Sequence, residues 1–228
     1  MAGFEYVLPE EIENRSFEII EEELASRGVK LRTLMSDSDC LIKSGPVVKR
    51  VIHTTADYDY AENLFFSDDS LTKAYELLTS ASVIVTDTNM ALSGINRTAL
   101  NKLGIRAYCF MADETVAAEA KERGMTRAAV SMERAEKLDR PVIYAIGNAP
   151  TALIAINEAY ERHKGLKEEG YHPPGLVIGV PVGFVNVVAA KELIMESGLP
   201  CIVARGRKGG SNVAAAIVNA LMYQLTRS

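Results

Sequence analysis

The sequence predicts an α/β domain with a mainly parallel sheet flanked by helices, and two observations carry that expectation. Four short apolar runs, "SVIVTD", "PVIYAIG", "LVIGVP" and "CIVARG", are rich in β-branched residues, and a weaker run, "RAYCF", lies between the first two. Each is continuous rather than alternating, the pattern of a strand covered on both faces. Between or after them come Ala-rich stretches of helical length: "ETVAAEAKERG", "APTALIAINEAYERHK", "GFVNVVAAKELIMESG" and "SNVAAAIVNALMYQL". Strand and helix in alternation give parallel strands joined by right-handed crossovers. At 228 residues and 48% hydrophobic, the chain can bury one sizeable core, so a single domain over residues 1–228 is expected.

Taken from the N-terminus, "PEEIENRSFEIIEEELASRG" places Ile12, Phe17, Ile19, Ile20 and Leu24 on a rough helical stripe, with Gly28 set to end it. From Gly45 and Pro46 onward, Val47, Val48, Val51 and Ile52 make the buried stripe of a second helix. Arg50, His53, Thr54 and Asp57 fall on its other face, so Arg50 and His53 project together. Ahead of it, "LMSDSDCLIKSGPV" points to a late helix start, and after it "ADYDYAENLFFS" is acidic and Tyr-rich. "KGLKEEGYHPPG", 164–175, is polar, holds two prolines and reads as a surface connection. His163 and His172, in or beside it, read as ordinary surface or satisfied histidines.

Composition removes several classes of function. Cys40, Cys109 and Cys201 are widely separated and follow no metal-ligand spacing, so they read as small buried hydrophobes, with no disulfide framework and no metal site. The formal net charge of −5 argues against a nucleic-acid binder, while leaving room for an anionic small molecule that meets local basic groups. No apolar run approaches membrane-spanning length, and acidic and aromatic residues within the first six positions do not suit a signal peptide. A cytoplasmic location is expected.

In an open parallel sheet, ligands bind beyond the carboxyl ends of the strands. The segments there are "DTNMALSGINR", "GNAPTA", "PVGFVN" and "RGRKGGSN". They are dense in Gly, Asn, Pro and Arg, and each following helix is expected to aim its N-terminal N–H groups at the crevice. "GRKGGSNVAA" has neither the GxGxxG spacing of a dinucleotide site nor the GK[ST] ending of a P-loop. Its Arg205, Arg207 and Lys208 suit carboxylates or phosphates.

Five motifs, "ENRSFEII", "KRVIHTTAD", "YAIGNAPTAL", "GVPVGFVN" and "RGRKGGSNVAAA", resemble in order the motif set of the precorrin-8X methylmutase family, which includes the cobalt-precorrin-8 methylmutases. The resemblance runs from about Tyr6 to near the C-terminus. It implies an isomerase of cobalamin biosynthesis that moves a methyl group from carbon 11 to carbon 12 of the macrocycle, giving hydrogenobyrinic or cobyrinic acid with no cofactor. It implies His53 as proton donor and acceptor, with Ser16 and Arg50 contacting the substrate, and a homodimer with sites near the subunit interface. Asn148, Gly183, Arg205, Arg207, Gly209 and Gly210 complete the expected substrate-binding set.

The chemistry suits the substrate. Protonating the tetrapyrrole draws electron density toward the ring and eases the shift, and an imidazole can give and recover a proton near neutral pH. Arg50 would hold a peripheral carboxylate and disfavour the imidazolium by like charge, whereas Asp57 would favour it. A broad anionic macrocycle needs apolar walls, for which Met90, Ile95 and Phe184 are candidates, and a basic rim, drawn from Arg15, Arg97, Arg127, Arg205 and Arg207. The alternative is a non-catalytic corrinoid-binding or carrier protein. A nucleotide-dependent α/β enzyme is disfavoured by the missing phosphate motifs.

Overall fold

The computed structural model describes residues 6–29, 31, 41–166 and 171–227, so the expectations for Cys40 and for all of "LMSDSDC" fall outside it. The elements in order are α1 (Ile12–Ser26), α2 (Ser44–Thr55), α3 (Tyr60–Asn63), β1 (Leu64–Phe66), α4 (Ser70–Leu78), β2 (Val83–Thr86), α5 (Asn89–Gly94), α6 (Arg97–Leu103) and β3 (Arg106–Tyr108). They continue as α7 (Glu114–Glu122), α8 (Arg127–Glu136), β4 (Val142–Ile146), α9 (Pro150–His163), β5 (Leu176–Gly179), α10 (Val187–Glu196), β6 (Cys201–Ala204) and α11 (Ser211–Thr226).

Among the described residues six strands join one sheet in the order β1-β6-β5-β4-β2-β3. β2 to β6 are parallel, as the alternation of strand and helix requires. β1 is the exception: it pairs antiparallel with β6, Leu64 opposite Ala204 and Phe66 opposite Ile202. An edge strand of three residues is too short to print a sequence pattern, and its shortness limits pairing with other chains. The chain runs from β2 outward to β3, then returns to lay β4 on the other side of β2. The topological switch point therefore falls between β2 and β4.

Two apolar layers sandwich the sheet, and the pleat sorts residues between them. Ile84, Ile143, Ala145, Ile178 and Ile202 face the layer of α2 and α11. Val83, Val85, Val142, Tyr144, Ile146 and Val177 face the layer of α8, α9 and α10. Neighbouring strand residues thus enter opposite layers, which is why the strands read as continuous apolar runs.

The helix that carries His53 is fixed by the stripe expected for it: Val47, Val48, Val51 and Ile52 are all buried, and α2 packs on α11. Full burial of such side chains stabilises by about 1.5–3 kcal/mol each. Pro46 falls in the first turn, where its missing N–H leaves no helical bond unmade. The helix ends at Ala56, which adopts a left-handed conformation (φ 52°) and donates its N–H to Ile52 O at 2.7 Å. That stop turns the chain sharply after His53 and sends Asp57 and Asp59 toward the carboxyl edge of the sheet.

Candidate functional site

At the switch point the protein fills its own crevice. Asp87, fully buried just after β2, accepts backbone N–H bonds from Gly147 (2.9 Å), Asn148 (2.8 Å) and Ala149 (2.6 Å) at the start of α9. Burial is the larger effect and raises its carboxyl above the ordinary range, partly offset by these three donors. Both oxygens act as acceptors in these bonds. A Cβ on Gly147 would stand 2.6 Å from Ser211 Cα, so the start of α11 also presses into this gap. The expectation that each helix start aims its N–H groups at a ligand is corrected here: those of "GNA" already hold a carboxylate of the same chain. The Asn148 side chain remains exposed above this clamp.

The accessible part of the carboxyl edge is consequently displaced toward β5, β6 and α2. Arg205 follows β6, and its N–H donates to Asn63 O at 2.8 Å, a consequence of β1 lying beside β6. Gly183 N–H donates to Arg207 O (3.2 Å), joining "PVGF" to "RGRKGG". Gly210 N–H donates to Val180 O at 2.8 Å, and a Cβ on Gly209 would collide with that same oxygen. Only glycine permits this approach of two backbones. Lys208 Nζ then reaches the carboxylates of Asp57 and Asp59, each at 2.6 Å, and ties the loop to the turn that follows α2.

His53 stands exposed in the last turn of α2, its ring 5.5 Å from Phe17 of α1 at a tilt of 58°. Ser16, next to Phe17, donates its hydroxyl to Ile12 O at 2.7 Å. Arg50 contacts the same phenyl ring, with its guanidinium 4.8 Å from the Phe17 centroid. That guanidinium is only 14% exposed and is bonded to Glu13 at 2.6 Å. Asp57, expected to favour an imidazolium at His53, is instead paired with Lys208, whose ammonium holds its carboxyl below the ordinary range.

Of the remaining candidates, Arg205 lies over the Phe65 ring at 5.0 Å and Arg207 over Phe184 at 5.5 Å, both exposed. Phe184 (82% exposed) and Met90 (71%) are available as apolar walls, but Ile95 (2%) is a core residue. Arg15 is paired with Glu18 and Glu22 on its own helix. Among the described residues no three His, Cys, Asp or Glu side chains are grouped to hold a metal, and no helix is long and apolar enough to cross a membrane.

Glu13 accepts bonds from both Arg50 and Arg227, at 2.6 and 2.7 Å, and so docks α1 onto α2 and α11 beside His53. The Arg50 bond is the main reason its carboxyl is held down at about 2. A value depressed below the ordinary 4.5 means the pair stabilises fully above that pH and loses its effect as pH falls through about 2. With Glu13 more than a third exposed, the contribution at neutral pH is under about 1 kcal/mol. Glu13→Gln is therefore expected to lower the urea midpoint slightly at neutral pH, and the gap from the wild type is expected to narrow below pH 4.5. A gap that stays constant on acidification would remove this pair from the docking of α1.

Sequence reading missed two groups. Asp87 ends an apolar strand, which is a visible signal, but its partners follow only from β2 and β4 being neighbours. Lys191 is a lone cation on the buried face of α10, also visible as "VVAAKELI", though nothing in that string names what it holds.

A basic, glycine-rich loop is thus tied to the turn that follows the His53 helix, at the carboxyl edge of a mainly parallel sheet covered on both faces, in an α/β domain. The chain belongs to the precorrin-8X methylmutase family, whose profile matches residues 11–224. It is 45% identical to the cobalt-precorrin-8 methylmutase of Salmonella typhimurium over 78% of this chain and 80% of that one. To the cobalt-precorrin-8 methylmutase of Leptospira interrogans it is 37% identical over 92% and 91%. The crystal structure of precorrin-8X methylmutase from Thermus thermophilus superposes with a TM-score of 0.76 at 32% identity, covering 95% of this chain and 98% of that one. As a methylmutase, the protein is an isomerase of cobalamin biosynthesis.

Proposed function

We propose that the protein converts cobalt-precorrin-8 to cobyrinic acid, with His53 as the group that moves the proton. The methyl group leaves carbon 11 and bonds to carbon 12 within one molecule, so no donor is consumed. The His53 imidazolium lends a proton to the macrocycle, the carbon–methyl bond breaks at one carbon as it forms at the next, and the proton returns. The observation that carries this reading is the link between an exposed imidazole and the basic loop: His53 lies in the last turn of the helix whose following turn is bonded to Lys208. Arg205 and Arg207 meet carboxylates of the rim, Gly183, Gly209 and Gly210 shape the seat through their backbone contacts with Arg207 and Val180, and the Asn148 amide supplies a hydrogen bond. Ser16 and Arg50 complete the seat from the α1 side, Arg50 by exchanging Glu13 for a substrate carboxylate.

The cobalt-containing substrate is preferred because the two curated relatives named above are cobalt-precorrin-8 methylmutases. The protein acts in this reading as a single domain over residues 1–228, in the cytoplasm, as a homodimer with each site near the second copy.

Titrating the purified protein with cobyrinic acid and, separately, hydrogenobyrinic acid, followed in the visible absorption band, tests the reading. Near-stoichiometric binding with a spectral shift is expected, tighter for cobyrinic acid. Tighter binding of hydrogenobyrinic acid would reverse the cobalt preference, and no binding of either at tens of micromolar would overturn the corrinoid site itself.

A further inference from the structure

Lys191 heads the large side chains that the fold buries completely, at 1% exposure on the inward face of α10. Its helix neighbours on that face, Val187, Ala190 and Ile194, are apolar and buried. A buried ammonium is costly unless its donors are used, whereas a methionine of similar length would carry no such desolvation cost. Two of its three donors are used, both by one segment: Lys191 Nζ donates to Gly206 O and Lys208 O, each at 2.8 Å. Between them, Arg207 O accepts from Gly183 N–H. Three consecutive carbonyls of the basic loop are therefore turned inward and bonded, which leaves the side chains of Arg205 and Arg207 outside.

The charges matter as much as the bonds. Lys208 is matched by Asp57 and Asp59. The bonds that Lys191 makes run to carbonyls, so no carboxylate matches its charge in them. Burial holds its pKa down at about 8, so it keeps its proton over most of the neutral range.

We infer that Lys191 is a positioning residue for ligand recognition: from beneath, its ammonium holds residues 205–210 in the shape that presents the Arg207 side chain to a carboxylate, and adds positive potential to that seat. The identity of the carboxylate ligand rests on the corrinoid reading, whereas the hold on the loop does not. Lys191 does not touch the reacting carbons, so its effect falls on binding and not on the methyl shift.

The test compares wild type, Lys191→Met and Lys191→Gln by cobyrinic acid titration, steady-state turnover, urea unfolding and amide hydrogen exchange over residues 206–210. Loss of the charge-assisted bonds is expected to weaken binding and raise KM by about 10–100-fold in Lys191→Met. The kcat at saturation is expected to stay within about threefold, the pattern of an interaction made equally in ground and transition state. Lys191→Gln keeps two donors without the charge and is expected to fall between. Faster exchange confined to 206–210 is expected in both variants, and it reads the hold on the loop without any ligand. If Lys191→Met fails to fold, Lys191→Gln carries the comparison, and wild-type affinity in that variant overturns the inference. Lower stability with unchanged KM and unchanged loop exchange would reduce Lys191 to a packing role. Wild-type protein that does not bind cobyrinic acid would sink the corrinoid reading instead, leaving the loop to be judged by exchange.

Discussion

Replacing His53 with alanine is expected to lower kcat by about 10²–10⁴-fold, the usual contribution of a positioned general acid, while product binding survives. Two structural facts make this a clean experiment. The imidazole is exposed, and the residues that hold α2 in place are Val47, Val48, Val51 and Ile52 on the opposite face, so stability is expected to change by no more than about 0.5 kcal/mol. The basic loop is anchored to Asp57 and Asp59, beyond the substituted position, so the seat keeps its shape. Single-turnover kinetics with the macrocyclic substrate separate the possibilities: unchanged binding with slowed conversion supports proton transfer by His53. Conversion at the wild-type rate would remove His53 from the chemistry. Binding and conversion lost together would make it a binding residue. A protein that only carried corrinoid would show no dependence of output on His53 at all.

The readable parts of this chain are those where one physical rule acts alone. Strands covered on both faces must be apolar throughout, so "VIVT", "VIYAI", "LVIG" and "CIVA" declare themselves, and each matches a strand to within a residue or two. The buried and exposed faces of α2 follow from a 3.6-residue period over a helix with one partner layer. β1 escapes because three residues hold no period, and its pairing with β6 depends on a contact some 140 residues away in the chain. The four turns at the carboxyl edge show by composition where a site lies. What composition leaves out is which donors are already taken. The N–H groups of Gly147, Asn148 and Ala149 look available until β4 is laid beside β2 and the Asp87 carboxylate arrives. Arg50 looks free to meet a substrate until α1 docks and brings Glu13. Ile95, an apolar residue in a ligand-facing segment, turns out to be covered once α5 packs on α11. In each case the local signal is sound and the competing partner comes from a distant segment.

Gly209→Ala is expected to be the most damaging single methyl addition in the basic loop, costing about 100-fold in kcat/KM, the scale of a loop displaced by about 1 Å. The added Cβ would sit inside the Val180 carbonyl oxygen, 2.8 Å from Val180 C and 3.0 Å from Pro181 O, and all three are backbone atoms that cannot rotate away. Relief requires the two backbones to separate, which breaks the Gly210 N–H bond to Val180 O and loosens the carbonyls held by Lys191. The neighbouring glycines supply the controls. Gly210 also has a positive φ, 137°, but its Cβ would meet the Asn212 side-chain oxygen, which can swing aside. Gly206, at φ 74°, has nothing within 4 Å of an added Cβ, so alanine there brings only backbone strain of about 1 kcal/mol. The expected order of damage is Gly209, then Gly210, then Gly206, read as kcat/KM alongside the urea midpoint. If Gly206→Ala were as harmful as Gly209→Ala, the left-handed turn and not the close approach to Val180 would be what the loop depends on. If all three variants kept wild-type kcat/KM, the loop would have no part in seating the macrocycle.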